Sequence, residues 1–178
     1  AGQALYLNTH YSNATDEAIE GVSRLDVKFE PADDSRIAVA LFTNGTLDFE
    51  ATPGFSEKTT TCVVERDVNI VMYTNHMHEW GIAIRTTTMP PDAKPEDEPR
   101  IIKDDPIWDE EWTTNANYAL ASVAEPLRLA AGTEITTTCS WNNDTGESLQ
   151  FPDEMCIFLG FDIDGQGDFS CVDGKPRE

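Results

Sequence analysis

Apolar and polar residues alternate with period two through much of this chain. Short runs rich in Val, Ile, Thr and aromatic residues recur between turn residues. The alternation predicts strands over residues 4–8, 23–29, 36–42, 59–65, 69–73, 81–87, 127–130, 134–140 and 156–161. The last run is almost continuously apolar, the pattern of a central strand buried on both faces. Helical periodicity is weak. Residues 117–124 predict one or two turns, ended by Pro126. The stretch 89–105, MPPDAKPEDEPRIIKDD, is rich in proline and acid and reads as an exposed loop between strands. There is no internal repeat. The elements sum to an all-β chain, an antiparallel β-sandwich of jelly-roll type.

Composition narrows the classes. A length of 178 residues suits one domain, or one domain and part of another. A hydrophobic fraction of 39 % is enough for the core of a two-layered fold. No run of 18 apolar residues exists, so no transmembrane helix is expected, and no basic segment followed by an apolar one marks a leader. The formal net charge of −21 repels phosphate backbones and anionic lipid, which argues against nucleic acid and membrane partners. Cys62, Cys139, Cys156 and Cys171 are spaced by 77, 17 and 15 residues, with no CxxC pair. An even count without that pair predicts two disulfides, hence an extracellular or periplasmic location; zinc is the rival reading, and the spacings match no zinc knuckle. The sequons at Asn13, Asn44 and Asn143 carry meaning only in a eukaryotic secretory route.

Candidate chemistry gathers around VMYTNHMHEWG, residues 71–81. The chain has three histidines, and His76 and His78 stand here one residue apart. In a strand, residues i and i+2 share a face, so the two imidazoles form a two-point grip for a metal, with Met77 turned away. The plainer alternative is two surface histidines. Near the C-terminus FPDEMC places Met155 beside Cys156. A thioether is a soft ligand that favours Cu(I), and imidazole suits both copper oxidation states. Met155 as an ordinary core residue is the competing reading.

These residues carry a resemblance. His76-Met77-His78 followed by Asp153-Glu154-Met155-Cys156, with Cys62 14 residues before the HxH, Cys139 in TTTCSWNN and Cys171 downstream, resembles the ascorbate-dependent type II copper monooxygenases. That is the family of peptidylglycine α-hydroxylating monooxygenase and dopamine β-monooxygenase, and the likeness covers roughly residues 30–173. It implies disulfides Cys62–Cys171 and Cys139–Cys156. It also implies an oxygen-activating copper held by His76, His78 and Met155, and ascorbate as reductant of a small-molecule C–H hydroxylation. ALYLNTHYSN, residues 4–13, is similar to the family's segment bearing one of three ligands of a second, electron-storing copper, which makes His10 a candidate third of that site. The family's other two ligands are an adjacent HH pair, and this chain has none. The expected organisation is therefore a tail of an N-terminal copper domain over 1–29 and a C-terminal catalytic domain over 30–178. The alternative organisation is a short one-copper relative in which His10 is a surface residue. The alternative function is a non-catalytic copper-binding or interaction module that keeps the fold. Where the peptide-amidating branch has a carboxylate-binding Arg and a substrate-side Tyr, this chain has Thr74 and Leu159. The resemblance therefore does not extend to a carboxyl-terminal peptide substrate; an acidic surface suits a cationic or neutral one.

FDIDGQGDFSCVD offers a second candidate ion site. Asp162, Asp164, Gln166 and Asp173 fall at positions 1, 3, 5 and 12 of an EF-hand-type calcium loop, with Gly167 at position 6. An acidic β-turn after the central strand is the competing reading.

Overall fold

The computed structural model describes Thr9 and residues 17–28, 37–164 and 166–177. The chain divides into two units, Ala1–Arg36 and Ile37–Glu178. In the first unit, residues 17–28 are exposed and carry neither strand nor helix. The strand expected over 23–29 is therefore not formed over 23–28. Val22, Leu25 and Val27 lie open to solvent, and no described strand pairs with them. The strand expected over 4–8, and the boundary expected at 29/30, lie outside the described residues.

The second unit is all-β. Its strands are β1 (Ala40–Thr46), β2 (Gly54–Val63), β3 (Val68–His76), β4 (Gly81–Met89), β5 (Arg100–Asp105), β6 (Ala119–Leu120), β7 (Leu127–Leu129), β8 (Glu134–Asn143), β9 (Cys156–Asp162), β10 (Phe169–Val172) and β11 (Lys175–Arg177). The larger sheet runs β11–β10–β1–β9–β3, with β6 and β7 sharing the far edge of β3; the smaller runs β2–β8–β4–β5. Pairing is antiparallel throughout except between β1 and β10.

Alternation explains the layers. In β8, Ile135, Thr137, Cys139 and Trp141 are buried, while Thr136 and Thr138 point outward and hydrogen-bond Thr61 and Thr59 across β2 at 2.8 and 2.9 Å. Such β-branched cross-strand pairs favour the pleated surface. β9 is central, between β1 and β3. Only one of its faces is fully buried: Cys156, Phe158 and Asp162 point into the sandwich, and Ile157, Leu159 and Phe161 are half-buried on the other side. One core cluster gathers Phe42, Ile70, Leu129, Ile135, Phe158 and Phe169, with Phe42 stacked on Phe169 at 5.0 Å. A second cluster gathers Phe49, Met77, Ile84, Trp108 and Trp141. Burying each such large side chain contributes about 1.5–3 kcal/mol.

Both disulfides cross between the sheets. Cys62 of β2 joins Cys171 of β10, with Cα atoms 6.3 Å apart, and Cys139 of β8 joins Cys156 of β9 at 5.8 Å. Those are the pairings the resemblance implies, and they place the chain in an oxidising compartment. No helix of the described residues is long and apolar enough to cross a membrane.

A polar seam also ties the layers. Asn44 donates to Thr137 Oγ1 at 2.9 Å, and Thr86 Oγ1 donates to Asn75 Oδ1 at 2.8 Å. Asn75 Nδ2 reaches Asp105 Oδ2 at 2.8 Å. The seam fastens the end of β3 to the smaller sheet one residue before His76.

Three expectations are corrected. The stretch 89–105 is not all loop: Arg100–Asp105 forms β5 on the sheet edge, where Arg85 pairs with Asp104 at 3.0 Å. Its prolines and acids obscure a short edge strand, the kind that charge protects from further pairing. Residues 117–124 are not helical. Ala119–Leu120 pairs with β3, and the helical turn falls instead at Glu110–Thr113, where Asp109 caps the N–H of Glu111 at 3.0 Å. The strand expected over 36–42 starts later, at Ala40, because the inward apolar position with a partner on β10 is Phe42.

Asp173 locks the turn after β1. Its Oδ1 accepts from Thr46 Oγ1 at 2.7 Å, Leu47 N at 2.8 Å and Asp48 N at 3.0 Å. Partial burial raises its pKa, but these hydrogen bonds and Arg177 outweigh that and hold it below the ordinary 3.8. A depressed folded-state value stabilises the fold above the unfolded pKa, and the contribution is lost as pH falls through the folded one. Asp173→Asn is therefore expected to unfold at lower temperature than wild type at pH 7, with the gap closing below pH about 4. Thermal melts from pH 3 to 7 test this; a constant gap is the adverse outcome. Asn is the apt replacement because Asp173 has φ of 56°, which Asn tolerates.

Candidate metal centre

β3 ends at His76, so His78 lies just beyond the strand rather than within it. The chain turns there and re-enters as β4 at Gly81. The two imidazoles still meet, with ring centroids 5.3 Å apart and planes at 84°. Met77 points the other way, as expected, and is fully buried in the second core cluster. Gly81 permits that packing: a Cβ there would stand 3.0 Å from Met77 Cβ and Cε.

Met155 arrives from the neighbouring strand. The ladder ends with His76 paired to Ile157, so His78 lies just past the end of β3 and Met155 just before the start of β9. His78 Nδ1 lies 2.9 Å from the carbonyl oxygen of Asp153, which confirms the approach of the two segments. A carbonyl only accepts, so Nδ1 carries the proton and Nε2 keeps a free lone pair.

Burial, and secondarily the neighbouring His78, lower the pKa of His76 from 6.5 to about 4. It is neutral at physiological pH, the form in which imidazole binds a metal. Among the described residues, neither of its ring nitrogens has a hydrogen-bond partner.

Side chains hold the turn 77–80 on all sides. Trp108 Nε1 donates to His78 O at 3.0 Å, and Thr113 Oγ1 donates to Met77 O at 3.2 Å. Glu154, fully buried, accepts from His78 N at 3.0 Å, Trp80 N at 2.8 Å, Trp141 Nε1 at 3.0 Å and its neighbour Met155 N at 3.2 Å. Trp108, Thr113, Trp141 and the buried role of Glu154 are not evident in the sequence. Glu154 stands in the DEMC motif, but nothing in its spacing announces burial.

The donor set suits copper: two imidazoles, one with its tautomer fixed by a backbone carbonyl, and a thioether beside a disulfide. Among the described residues no group of three or more His, Cys, Asp or Glu side chains converges on a metal position; the third candidate donor, Met155, is of another type. His10 lies outside the described residues.

The calcium candidates are not brought together. Asp162, fully buried, pairs with Arg66 at 2.9 Å and accepts from Asn69 N at 2.9 Å. Both carboxylate oxygens of Asp164 accept from Asn69 Nδ2, at 2.8 and 2.9 Å, and Gln166 is exposed. Between Gln166 and Asp173 the chain runs out as β10. Asp162 pairs with Ala40 while Asp173 bonds Gly45 O, at the other end of β1. Five residues of strand span about 16 Å, far beyond the reach of ligands that must lie within about 2.6 Å of one ion.

An apolar strip lies beside the histidines. Ile157, Leu159 and Phe161 form it on the face of His76, and Leu159 is the cross-strand partner of Thr74. Thr74 is buried and donates to backbone carbonyls of Asn75 and Asn117, at 2.9 and 3.2 Å. Beyond the turn, an open cleft of about 410 Å³ is walled by Trp80, Glu79, Glu110 and Asp144.

No protein-family model matches the chain, and no curated protein shows significant sequence similarity to it.

Proposed function

We propose that this chain is the oxygen-activating copper domain of an ascorbate-dependent monooxygenase, built on a jelly-roll-type sandwich and working outside the cytoplasm. The observation that carries this reading is the meeting of His76 and His78 at the end of β3, where the segment 153–155 comes up against His78 through Asp153 O and the Glu154 side chain. Bound by these three residues, copper would supply the dioxygen chemistry for hydroxylating a substrate C–H bond.

The residues' own contributions follow from the geometry. His76 offers a lone pair without first shedding a proton. Asp153 O holds the His78 proton on Nδ1 and so aims Nε2. The Met155 sulfur favours the reduced ion. The strip Ile157–Leu159–Phe161 keeps water from the His76 side and suits the apolar body of a substrate. With Thr74 buried and the chain carrying a net charge of −21, the site suits a neutral or cationic substrate over a carboxylate. Hydroxylation places one oxygen atom in the substrate and the other in water, so it consumes two electrons and two protons. Ascorbate is the proposed source, through a second copper to which His10 is a candidate ligand.

Titration with Cu(I) under anaerobic conditions, and with Cu(II), tests the reading. One equivalent of each is expected to bind. Met155→Ile is expected to weaken Cu(I) at least tenfold and Cu(II) by less, since only the soft ion gains strongly from sulfur. A wild-type protein that takes up no copper sinks the proposal. Because this chain lacks the HH pair of the second copper site, oxygen uptake is measured with a one-electron donor supplied in its place, and uptake coupled to substrate hydroxylation then separates a monooxygenase domain from a non-catalytic copper module.

A further inference from the structure

We propose that Glu154 is the positioning residue of the metal centre and the counter-charge to its ion; this rests on the copper reading above. Glu154 is fully buried. All four of its contacts are N–H donors, the complement of an acceptor-only carboxylate. Its donors come from three places: the histidine turn through His78 N and Trp80 N, β8 through Trp141, and the approach to β9 through Met155 N. One side chain thus sets His78 against Met155, the two ligands that come from different strands.

Charge gives the second argument. A carboxylate out of water is costly unless a cation or a metal faces it. Among the described residues no Lys, Arg or His pairs with Glu154, in contrast to buried Asp162 with Arg66 and buried Asp105 with Lys103. The cation that would face it is copper, held by residues whose backbone N–H groups Glu154 already binds. A fixed negative charge stabilises Cu(II) more than Cu(I), since the divalent ion carries twice the charge. Glu154 thereby offsets the preference of the Met155 sulfur and keeps both oxidation states within reach of one site.

The test measures Cu(I) and Cu(II) affinities, the Cu(II) electron paramagnetic resonance spectrum and the melting temperature of wild type and Glu154→Gln. The variant keeps the shape and removes the charge. Cu(II) affinity is expected to fall about 10–100-fold, as for other loss of ligand support. Cu(I) affinity should fall at least tenfold less, a differential of about 59 mV per decade in potential. The copper hyperfine splitting should shift with it. A lowered melting temperature with an unchanged Cu(I)/Cu(II) ratio and spectrum overturns the inference, because a purely structural residue behaves that way. Wild type failing to bind copper overturns the copper reading instead. If Glu154→Gln does not fold, Trp141→Phe keeps the ring stacked on Phe49 and withdraws one donor from Glu154 Oε2. Its Cu(II) spectrum is expected to shift, and an unshifted one overturns the inference.

Discussion

Replacing His76 by alanine is expected to lower copper affinity at least a hundredfold while leaving a folded protein. Loss of outer-shell support to a metal ligand costs about 10–100-fold, and loss of the ligand itself costs more. The fold should tolerate the change because neither ring nitrogen of His76 is hydrogen-bonded among the described residues. Only packing is given up, on the order of 1 kcal/mol. Asn75→Ala makes the opposite control. Asn75 is buried in the seam between the sheets, accepting from Thr86 and donating to Asp105. Its loss takes one hydrogen bond from each partner, at about 0.5–1.5 kcal/mol each, while Asp105 keeps Lys103 and Asn117 and Thr86 keeps Thr137, and it leaves the imidazoles in place. Competition against a Cu(I) chelator, with a thermal melt of each variant, separates the two. Equal copper affinity in wild type and His76→Ala would remove the site.

The second large effect concerns stability. The double variant Cys62→Ala/Cys171→Ala opens a loop of sequence separation 109, and the chain-entropy treatment assigns such a closure roughly 4.7 kcal/mol. The Cys139–Cys156 bridge, at separation 17, is worth roughly 3 kcal/mol on the same scale. Domains are stable by only about 5–15 kcal/mol, so loss of the longer bridge should bring the protein close to unfolding at ambient temperature. Urea titration reads this as a large fall in the midpoint. The two bridges differ in a second way. Cys62 and Cys171 belong to the core cluster of Phe42 and Phe158, whereas Cys156 adjoins Met155. The first double variant should bind copper normally in whatever fraction is folded. A similar loss of midpoint from both variants would show that enforced closure of the longer loop is not what matters.

Where alternation was strong, the strands could be read directly. EITTTCSWNN and CIFLGFD announced β8 and β9, because their inward positions are apolar or small up to the closing Asn143 and Asp162, and each outward one is polar or half-covered. β5 and β10 were hidden for a shared reason: each is short and set among prolines, glycines or acids, so its pairing comes from tertiary context rather than from its own pattern. Residues 117–124 are apolar at every position but Asn117 and Ser122, so they carry no amphipathic helical pattern, and the edge of β3 took Ala119–Leu120 as a short paired strand instead. At the candidate metal centre, the proposed ligands and their spacing were read from the sequence; the groups that hold their backbone were not. Glu154 reads as one more acid in a chain of 33. Only the fold shows that it is surrounded by N–H groups. Asp162 and Asp173 misled for the converse reason: their spacing fits a calcium loop, but β10 draws the loop straight.

All four tryptophans of the chain, Trp80, Trp108, Trp112 and Trp141, lie in or against the core cluster beneath the histidine turn; the other cluster holds none. The molecule therefore carries a built-in optical label confined to one end. Its ultraviolet emission reports events at the histidine end. Loosening at the Cys62 end passes without colour, and only a probe of backbone or tyrosine signal would register it.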